Sequence, residues 1–533
     1  MRISARELLE QLLDAGSFVS WDRPPLQVAG TPRYRDELRR AAQSAGVDES
    51  VLTGEGMLRG RRVAVIACEF GFLAGSVGVA AAERIVTAVE RATELGLPLI
   101  ASPTSGGTRM QEGTVAFVQM VKIAAAVAVH KSAGHPYLVY LRDPTMGGVF
   151  ASWGSLGHIT FAQPGALIGF LGPRVYKALY DKPFPEGVQT AENLYRNGVI
   201  DGVLPTPIFR RVAHRALSVL SGEISTSPVA GRAIPTTTAD DLGTDPEHPQ
   251  TGSVPGERQR AGSVSGERPQ AGSGPAAVPA WQSVLASRRP GRPGIRDLLR
   301  HVTQRVPLSG TGQGESDRTV VHALARFRGQ PCVVFGHDRS GQQGENTMGP
   351  AALREARRSM ALAQELRVPL VLVIDTVGAA LSKEAEERGL APEIARCLAD
   401  LTTLNTPTVS VLLGQGTGGG ALALLPADRV LASANAWLAP LPPEGASAIV
   451  YRDTDHAPDL ATAQRIRAAD LRTDGIVDRI VPELPDAADE PTDFARRMVH
   501  AIAEELAHLR TQPADHLLSM RHQRYRRLGL PSQ

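Results

Sequence analysis

Helical and strand-like patterns of hydrophobic residues alternate along two separate parts of this chain. Each part has a segment with apolar residues at helical spacing, then a short continuous apolar run, and then the same pair of patterns again. The helical segments are 77–96, 114–134, 350–367 and 391–405, and the apolar runs are 97–102, 136–143, 368–375 and 407–414. Short apolar runs between helices are typical of buried strands. The pattern therefore predicts an α/β fold with a mostly parallel sheet covered by helices.

The two parts resemble each other in spacing. The second apolar run of each part ends in a glycine cluster, and in both a proline lies 11 residues before the first matching glycine: Pro136 before Gly147, and Pro407 before Gly418. A later turn also matches, GVIDGVL in the first part and GIVDRIV in the second. This duplication predicts two homologous domains, 1–222 and 295–533.

Residues 223–294 differ in composition from both parts. They are rich in Pro, Gly, Ser, Thr and Arg, contain an imperfect repeat, and have Trp281 as their single aromatic residue. Such a stretch buries too little apolar surface to offset the entropy of ordering it. The composition predicts a disordered linker between the two domains.

Charge and cysteine content exclude several classes of protein. A net charge of +2 argues against nucleic-acid binding, which needs a concentrated basic face. The three cysteines lie far apart and no histidines stand at metal-ligand spacing, so no zinc or other metal site is predicted. The N-terminus lacks the apolar core of a signal peptide, and no apolar run reaches about 18 residues. We expect a cytoplasmic protein with no membrane association.

The glycine clusters after the second strands are candidate catalytic elements. They are Gly147-Gly148 and Gly419-Gly420-Ala421. Glycine lets the backbone approach a ligand closely, and the first N–H groups of a following helix have no partner inside that helix. Such amides would stabilise a developing oxyanion. The alternative is that these glycines only allow tight packing of helix on sheet. Neither cluster has the sequence of a phosphate-binding P-loop.

A third glycine-rich segment, Ser105 to Glu112, follows another predicted strand. Gly106 and Gly107 would line the same pocket, and Arg109 would hold a carboxylate or phosphate. Alternatively, Arg109 and Glu112 form a structural ion pair. Asp375, at the end of a predicted strand, is interpreted as a structural carboxylate that accepts nearby backbone N–H groups.

Long motifs in both parts resemble the carboxyltransferase of bacterial acetyl-CoA carboxylase. The first part resembles its β subunit and the second its α subunit, over roughly 50–220 and 320–530. The motifs are 105–113, 143–175 and 197–204 in the first part, and 348–366, 369–379, 386–398, 414–424, 442–449 and 521–529 in the second. The resemblance implies a crotonase-like β-β-α superhelix in each domain.

The resemblance also implies a reaction and its participants. A carboxyl group would pass from biotin, held on a separate carrier protein, to acetyl-CoA, giving malonyl-CoA for fatty acid synthesis. The partners would be a biotin carboxylase and the biotin carboxyl carrier protein, and the chain would form a homo-oligomer. Gly147 and Gly148 would donate to the thioester oxygen, and Gly419, Gly420 and Ala421 would face the ureido oxygen of biotin. The implied substrate-binding residues are Gly106, Gly107, Arg109, Gly378, Ala379, Glu444 and Gly445.

The sequence departs from the family pattern in several places. A four-cysteine zinc ribbon, usual before the catalytic domain of the β subunit, is absent. The family's Asp-Thr-Pro-Gly-Ala is 375–379 with Val377 in place of proline, the stretch before 386–389 is shortened, and Pro442 replaces a serine. These changes leave three alternatives open: a carboxyltransferase or decarboxylase for another acyl-CoA, a crotonase-type hydratase or isomerase with Glu112 as its base, and a non-catalytic assembly paralogue.

Overall fold

The first half of the chain folds around a seven-stranded sheet in the computed structural model, which describes residues 2–28, 30–221, 279–342 and 346–530. The strand order is β1-β2-β3-β4-β5-β7-β9, and β6 pairs with β8 in a separate small sheet. The strands are β1 (Val19–Ser20), β2 (Val51–Leu58), β3 (Arg61–Cys68), β4 (Leu99–Ser102), β5 (Tyr137–Leu141), β6 (Thr145–Met146), β7 (Ile159–Ala162), β8 (Ile168–Gly169) and β9 (Gly202–Val203). The helices are α1 (Ala5–Leu12), α2 (Pro32–Ala45), α3 (Val79–Glu94), α4 (Gly113–Ser132), α5 (Pro173–Tyr180), α6 (Ala191–Arg196) and α7 (Thr206–Ser221).

The second half repeats this arrangement. Its strand order is β10-β11-β12-β13-β14-β15-β17, and β16 adds to β14. The strands are β10 (Gln304–Leu308), β11 (Val320–Phe327), β12 (Gln330–His337), β13 (Leu370–Thr376), β14 (Thr408–Thr417), β15 (Arg429–Ser433), β16 (Trp437–Ala439) and β17 (Arg479–Val481). The helices are α8 (Ala280–Ser287), α9 (Ile295–Leu298), α10 (Pro350–Leu366), α11 (Lys383–Glu387), α12 (Leu390–Thr403), α13 (Gly418–Leu422), α14 (Pro443–Val450), α15 (Ala457–Ala463), α16 (Ala468–Thr473), α17 (Pro491–Leu509) and α18 (Ala514–Arg527).

Pairing within the two sheets shows the duplication directly. In each half an antiparallel pair, β2 with β3 or β11 with β12, leads into parallel strands. These run β3-β4-β5-β7-β9 in the first half and β12-β13-β14-β15-β17 in the second. The strands are buried on both faces, which explains their continuous apolar sequences. The predicted α/β fold with two homologous β-β-α domains is confirmed.

The predicted linker, 223–294, is wrong at its C-terminal end. Residues 223–278 lie outside the described residues, but α8 falls inside the predicted range and packs on the second half. Ala280 and Val284, one helical turn apart, are buried in a small cluster with Trp437. The indole of Trp437 donates a hydrogen bond to Ser287 Oγ at 2.9 Å. This short amphipathic helix was hidden by the polar composition around it.

The two halves form one compact unit that spans 1–222 and 279–533. Their largest apolar core is continuous and includes residues of both sheets. Helix α4 packs along α12, and Thr114 Oγ1 at its start donates to the carbonyls of Leu438 and Gln464, each at 3.0 Å. Helix α18 returns to the first half, where Arg526 forms ion pairs with Glu83 and Glu90.

Helix α4 belongs to the one described segment, Met110–Ser132, that is long and apolar enough to cross a membrane. Within the protein, 83% of its most apolar window is buried. The helix carries apolar residues all round because α3 covers one face and α12 another. It is a core helix, as expected of an element hydrophobic on every side.

Candidate functional site

The two predicted glycine clusters line one cavity between the halves. Its volume is about 400 Å³. Gly107, Gly147 and Gly148 line it from the first half, and Gly378, Gly418 and Gly419 line it from the second. Each cluster directly follows a strand of its own half, so the duplicated topology brings the two together in a single chain.

In the first-half cluster, one of the two predicted amide donors is already used. Gly147 has a φ of +65°, a conformation that favours glycine, and its N–H donates to Gly169 O at 3.1 Å. The amide of Gly148 makes no hydrogen bond within the described chain, and neither does that of Thr108. A Cβ on Gly148 would lie 3.2 Å from Thr108 Oγ1, so these two residues are neighbours. The available pair of donors is therefore Gly148 and Thr108.

The second-half cluster has the same construction. Gly418 has a φ of +63°, and the amides of Gly419 and Gly420 begin α13, where they have no hydrogen-bond partner among the described residues. The amide of Ala379 is also unpaired, and its nitrogen would lie 3.5 Å from a Cβ on Gly420. The second half thus offers the equivalent set of backbone donors.

The loops that carry Thr108 and Ala379 are also built alike. Gly107 has a φ of +125° and donates to Ser105 Oγ at 3.0 Å. Gly378 has a φ of +133° and donates to Thr376 Oγ1 at 3.1 Å. In both loops this turn leaves the N–H of the next residue, Thr108 or Ala379, without a partner among the described residues. The likeness supports a function of these backbone amides rather than of the side chains.

Phe170, just after β8, lies between the two clusters. Its carbonyl oxygen would be 3.9 Å from a Cβ on Gly147, and its ring carbon Cε2 would be 2.8 Å from a Cβ on Gly419. Both glycines therefore leave room for the same residue. The first-half and second-half donors line the same cavity, and Phe170 contacts the glycine cluster of each half.

The other predicted site residues divide into two groups. Gly106, Gly107, Gly378 and Ala379 line the cavity. A second group does not line it: Gly420, Ala421, Gly445, Arg109 and Glu444. Gly420 and Ala421 are buried in α13, and Gly445 is buried in α14. Each therefore lies on a side of its helix that packs against the rest of the protein.

The prediction that Arg109 binds substrate is wrong. Its guanidinium is 1% exposed and forms a two-point ion pair with Glu49, with the closer contact at 2.5 Å. It also donates to Ser76 and Ser50. Glu112, the proposed base of a hydratase, lies 3.7 Å from it and accepts hydrogen bonds from Val79 N and Tyr34 Oη. The structural alternative considered for these two residues is the correct one.

Glu444 forms an ion pair within the protein and does not line the cavity. Arg288, from the segment predicted to be linker, donates to both carboxylate oxygens, at 2.5 and 3.2 Å. Burial raises the pKa of Glu444, but the hydrogen bonds from Arg288 outweigh this and leave that pKa below its ordinary value. Asp375 behaves as predicted, because its Oδ1 accepts the N–H of Gln415 at 3.0 Å.

The sequence did not predict a role at the cavity for Thr108, Phe170, Thr417 or Glu386. Phe170 and Thr417 line it, and the hydroxyl of Thr417 is buried with no hydrogen-bond partner. Glu386, directly behind the wall, accepts the N–H of Phe170 at 2.8 Å. Burial raises the pKa of Glu386 to about 7. No group of three or more His, Cys, Asp or Glu suited to a metal ion occurs among the described residues.

Comparison with known proteins places these features in a family. A family model described as "Carboxyl transferase domain" matches residues 2–210, and one described as "Acetyl co-enzyme A carboxylase carboxyltransferase-like" matches residues 275–529. The chain is 60% identical over 532 residues to a probable biotin-dependent acyl-coenzyme A carboxylase beta3 subunit of Mycobacterium tuberculosis (strain ATCC 25618 / H37Rv), with 99% of each chain covered.

More distant similarities extend over nearly the same length. The chain is 36% identical to the acetyl-coenzyme A carboxylase carboxyl transferase subunits beta/alpha of Salinispora arenicola (strain CNS-205), covering 99% of this chain and 91% of that protein. A crystal structure of transcarboxylase 12S aligns with 96% of this chain and 90% of its own, at 19% identity and a TM-score of 0.36. At that score the structural alignment carries no weight beside the sequence similarity.

Proposed function

Because this chain belongs to the biotin-dependent acyl-CoA carboxyltransferase family, we propose that it transfers a carboxyl group from carboxybiotin on a carrier protein to acetyl-CoA, giving malonyl-CoA. The observation that carries the proposal is that two sets of unpaired backbone amides line one cavity, Gly148 with Thr108 from the first half and Gly419 with Ala379 from the second. Two oxyanions that develop close together need two such sets.

The first-half donors would bind the thioester oxygen of the acyl-CoA. An enolate forms when the α-proton leaves, and its negative charge accumulates on that oxygen. Amides fixed in place before the reaction stabilise this charge without the cost of reorienting water. Because their positions are set by Gly107 and Gly147, the chain needs no side-chain acid at this point.

The second-half residues fit the ureido group of biotin. Gly419 and Ala379 offer unpaired amides, and Thr417 adds a buried hydroxyl without a partner, so a carbonyl oxygen would satisfy otherwise unpaired donors. When bound, carboxybiotin would supply the carboxyl group and, after releasing it, the base that takes the α-proton. The residues of this half would hold the ureido oxygen and keep the cavity dry.

Acetyl-CoA is proposed as acceptor because relatives at 35–36% identity carry the name acetyl-coenzyme A carboxylase carboxyl transferase. One observation favours a second candidate, a longer acyl-CoA. Met110, Phe117 and Met146 give the first-half wall an apolar surface that an acyl chain longer than acetyl would contact. The relative at 60% identity is named only for acyl-CoA. The proposed partners are a biotin carboxylase and a biotin carrier protein, and the homo-oligomer stays a prediction.

The test is carboxylation by the purified full chain with a biotin carboxylase and a biotinylated carrier. Labelled bicarbonate and Mg-ATP, which the carboxylation of biotin consumes, are supplied with acetyl-, propionyl-, butyryl- and longer acyl-CoA, and kcat/KM is measured for each. We expect the highest kcat/KM with acetyl-CoA. A higher value with a longer chain would replace acetyl-CoA by the second candidate. No transfer to any acyl-CoA would refute catalysis and favour the assembly paralogue.

A further inference from the structure

A carboxylate of the second half holds the backbone of the first half directly behind the cavity wall. Glu386, on α11, accepts the N–H of Phe170 with both oxygens, at 2.8 and 3.1 Å. It also accepts from Gln189 Nε2 at 2.6 Å. Gln189 donates in turn to Leu171 O at 2.7 Å. Two adjacent residues of the cavity wall, Phe170 and Leu171, are therefore tied to one buried group across the interface.

Glu386 is an unusual group to find at an interface. It is 5% exposed, and within the described chain it forms no ion pair. Its neighbours Lys383 and Arg388 pair with other carboxylates. An ionisable carboxyl group buried among neutral donors costs stability relative to an apolar residue of the same shape. A residue that only filled space at the interface would not need an ionisable carboxyl group. Its presence points to a requirement for a strong hydrogen-bond acceptor at this place.

The segment that Glu386 holds contacts both glycine clusters. Gly169, the residue before Phe170, accepts the N–H of Gly147, and this bond fixes the turn that presents Gly148. The ring of Phe170 lies against Gly419, with space for no Cβ between them. The position of the Phe170 backbone thus sets how far the first-half donors lie from the second-half donors.

We propose that Glu386 is a positioning residue for carboxyl transfer, which fixes Phe170 and through it the spacing between the two sets of oxyanion donors. The inference rests on the proposed function, since it assigns a role within the same reaction. Each set of donors belongs to its own half, and Glu386 accepts from Phe170 and Gln189 but not from a donor residue or from Gly169, so both sets should persist without it. Each substrate should therefore still bind, while the reaction that needs both at a defined distance slows.

The test uses three substitutions of Glu386 and one matched control in the full chain. Glu386→Gln keeps an oxygen that can accept from Phe170 and from Gln189 Nε2 but removes the ionisable group. Glu386→Leu keeps the size but removes the acceptor, and Glu386→Asp withdraws it by the length of one methylene. The control, Glu387→Gln, alters the neighbouring carboxylate, which also crosses the interface by accepting from Asn193 Nδ2 at 2.9 Å.

We expect a selective loss of kcat. In Glu386→Leu and Glu386→Asp, kcat should fall at least about tenfold, since a misplacement of 1 Å costs about 10²-fold in rate. KM for acyl-CoA and for the carrier should change less than about threefold by the same reasoning, because binding within each half does not depend on the spacing. Glu386→Gln and Glu387→Gln should keep at least about a third of the wild-type kcat, since both retain the acceptor.

Each result decides one question. Wild-type kcat in both Glu386→Leu and Glu386→Asp would overturn the inference, as would a rise of KM with kcat unchanged. Equal loss in Glu387→Gln would show general loosening of the interface instead of positioning. Should Glu386→Leu fail to fold by circular dichroism, Glu386→Asp gives the same decision. Absence of transfer in the wild type itself would refute the proposed function, which separates that failure from failure of the positioning role.

Discussion

Replacing Gly419 by alanine tests whether the close approach of the two halves is needed for the reaction. The new Cβ would lie 2.8 Å from Phe170 Cε2 and 2.9 Å from Ile394 Cδ1. Carbon atoms normally approach to about 3.5–4.0 Å. The Phe170 wall or the start of α13 must therefore move by roughly 0.7–1 Å to admit the methyl group.

The expected loss follows from that displacement. A shift of about 1 Å costs about 10²-fold in rate, and overpacking costs about 1–3 kcal/mol of stability. Gly420→Ala should lose less, because its Cβ meets the end of the flexible Met348 side chain at 2.8 Å and approaches Ala379 only to 3.5 Å. The difference in rate between the two variants separates a glycine that lines the cavity, Gly419, from one that does not, Gly420.

The assay is the rate of carboxyl transfer, measured beside urea unfolding for each variant. Gly294→Ala serves as control, since its backbone φ is −104° and its Cβ would lie 3.7 Å from the nearest side chain. It should leave rate and stability unchanged. A folded Gly419→Ala with a wild-type rate would show that the approach of Phe170 to Gly419 has no role in transfer, and would refute the reasoning.

Four further outcomes are expected. Arg109→Leu should lower the free energy of unfolding by about 3–5 kcal/mol in urea titrations, because it leaves Glu49 buried without its cation. A change below about 1 kcal/mol would contradict a structural role of this ion pair. Burial raises the pKa of Glu386 from 4.5 to about 7, so the folded state binds more protons than the unfolded state between these values and stability falls as pH rises through that window. Between pH 4.5 and pH 8 the free energy of unfolding should fall by about 3 kcal/mol more in the wild type than in Glu386→Gln. The same pH dependence of stability in both proteins would exclude this. Treatment of the purified chain with EDTA, followed by removal of the chelator before the assay, should leave the transfer rate unchanged. Elemental analysis should find far less than one zinc per chain, since the described residues contain no cluster of metal ligands; tightly held zinc would refute this. Trypsin should cut first within 223–278 and leave two fragments that stay together through their common core, whereas a resistant segment would disprove the predicted linker.

The fold was accessible from sequence because its repeats are local. Strands buried on both faces give continuous apolar runs. In each half the second of these runs is followed by a glycine cluster at the same distance from a proline, so Gly147 and Gly418 align without structural information. Helix α8 was missed because eight residues between polar stretches give too short a pattern to stand out from linker composition.

Sequence reasoning located the glycine clusters that line the cavity, and it missed contacts between residues far apart in sequence. Gly148 and Gly419 could be proposed from sequence because each stands in a glycine cluster that follows a predicted strand, and both line the cavity. Arg109 was misassigned because its partner Glu49 is 60 residues away in sequence, and a pattern of neighbours does not show such a contact. Phe170 and Glu386 were missed for the same reason, since their relation exists only between the two halves.

Helix α4 has a consequence for the synthesis of the chain. The ribosome completes α4 long before α12, which begins at Leu390 and covers it, and α18 closes over it only near the end of the chain. At about 5–20 residues per second, this leaves an apolar helix uncovered for roughly ten seconds to a minute. The nascent first half therefore presents a surface that chaperones bind and that aggregates readily. Fusion of both halves in one polypeptide ensures that the covering half always arrives, in equal number and attached to the surface it must protect.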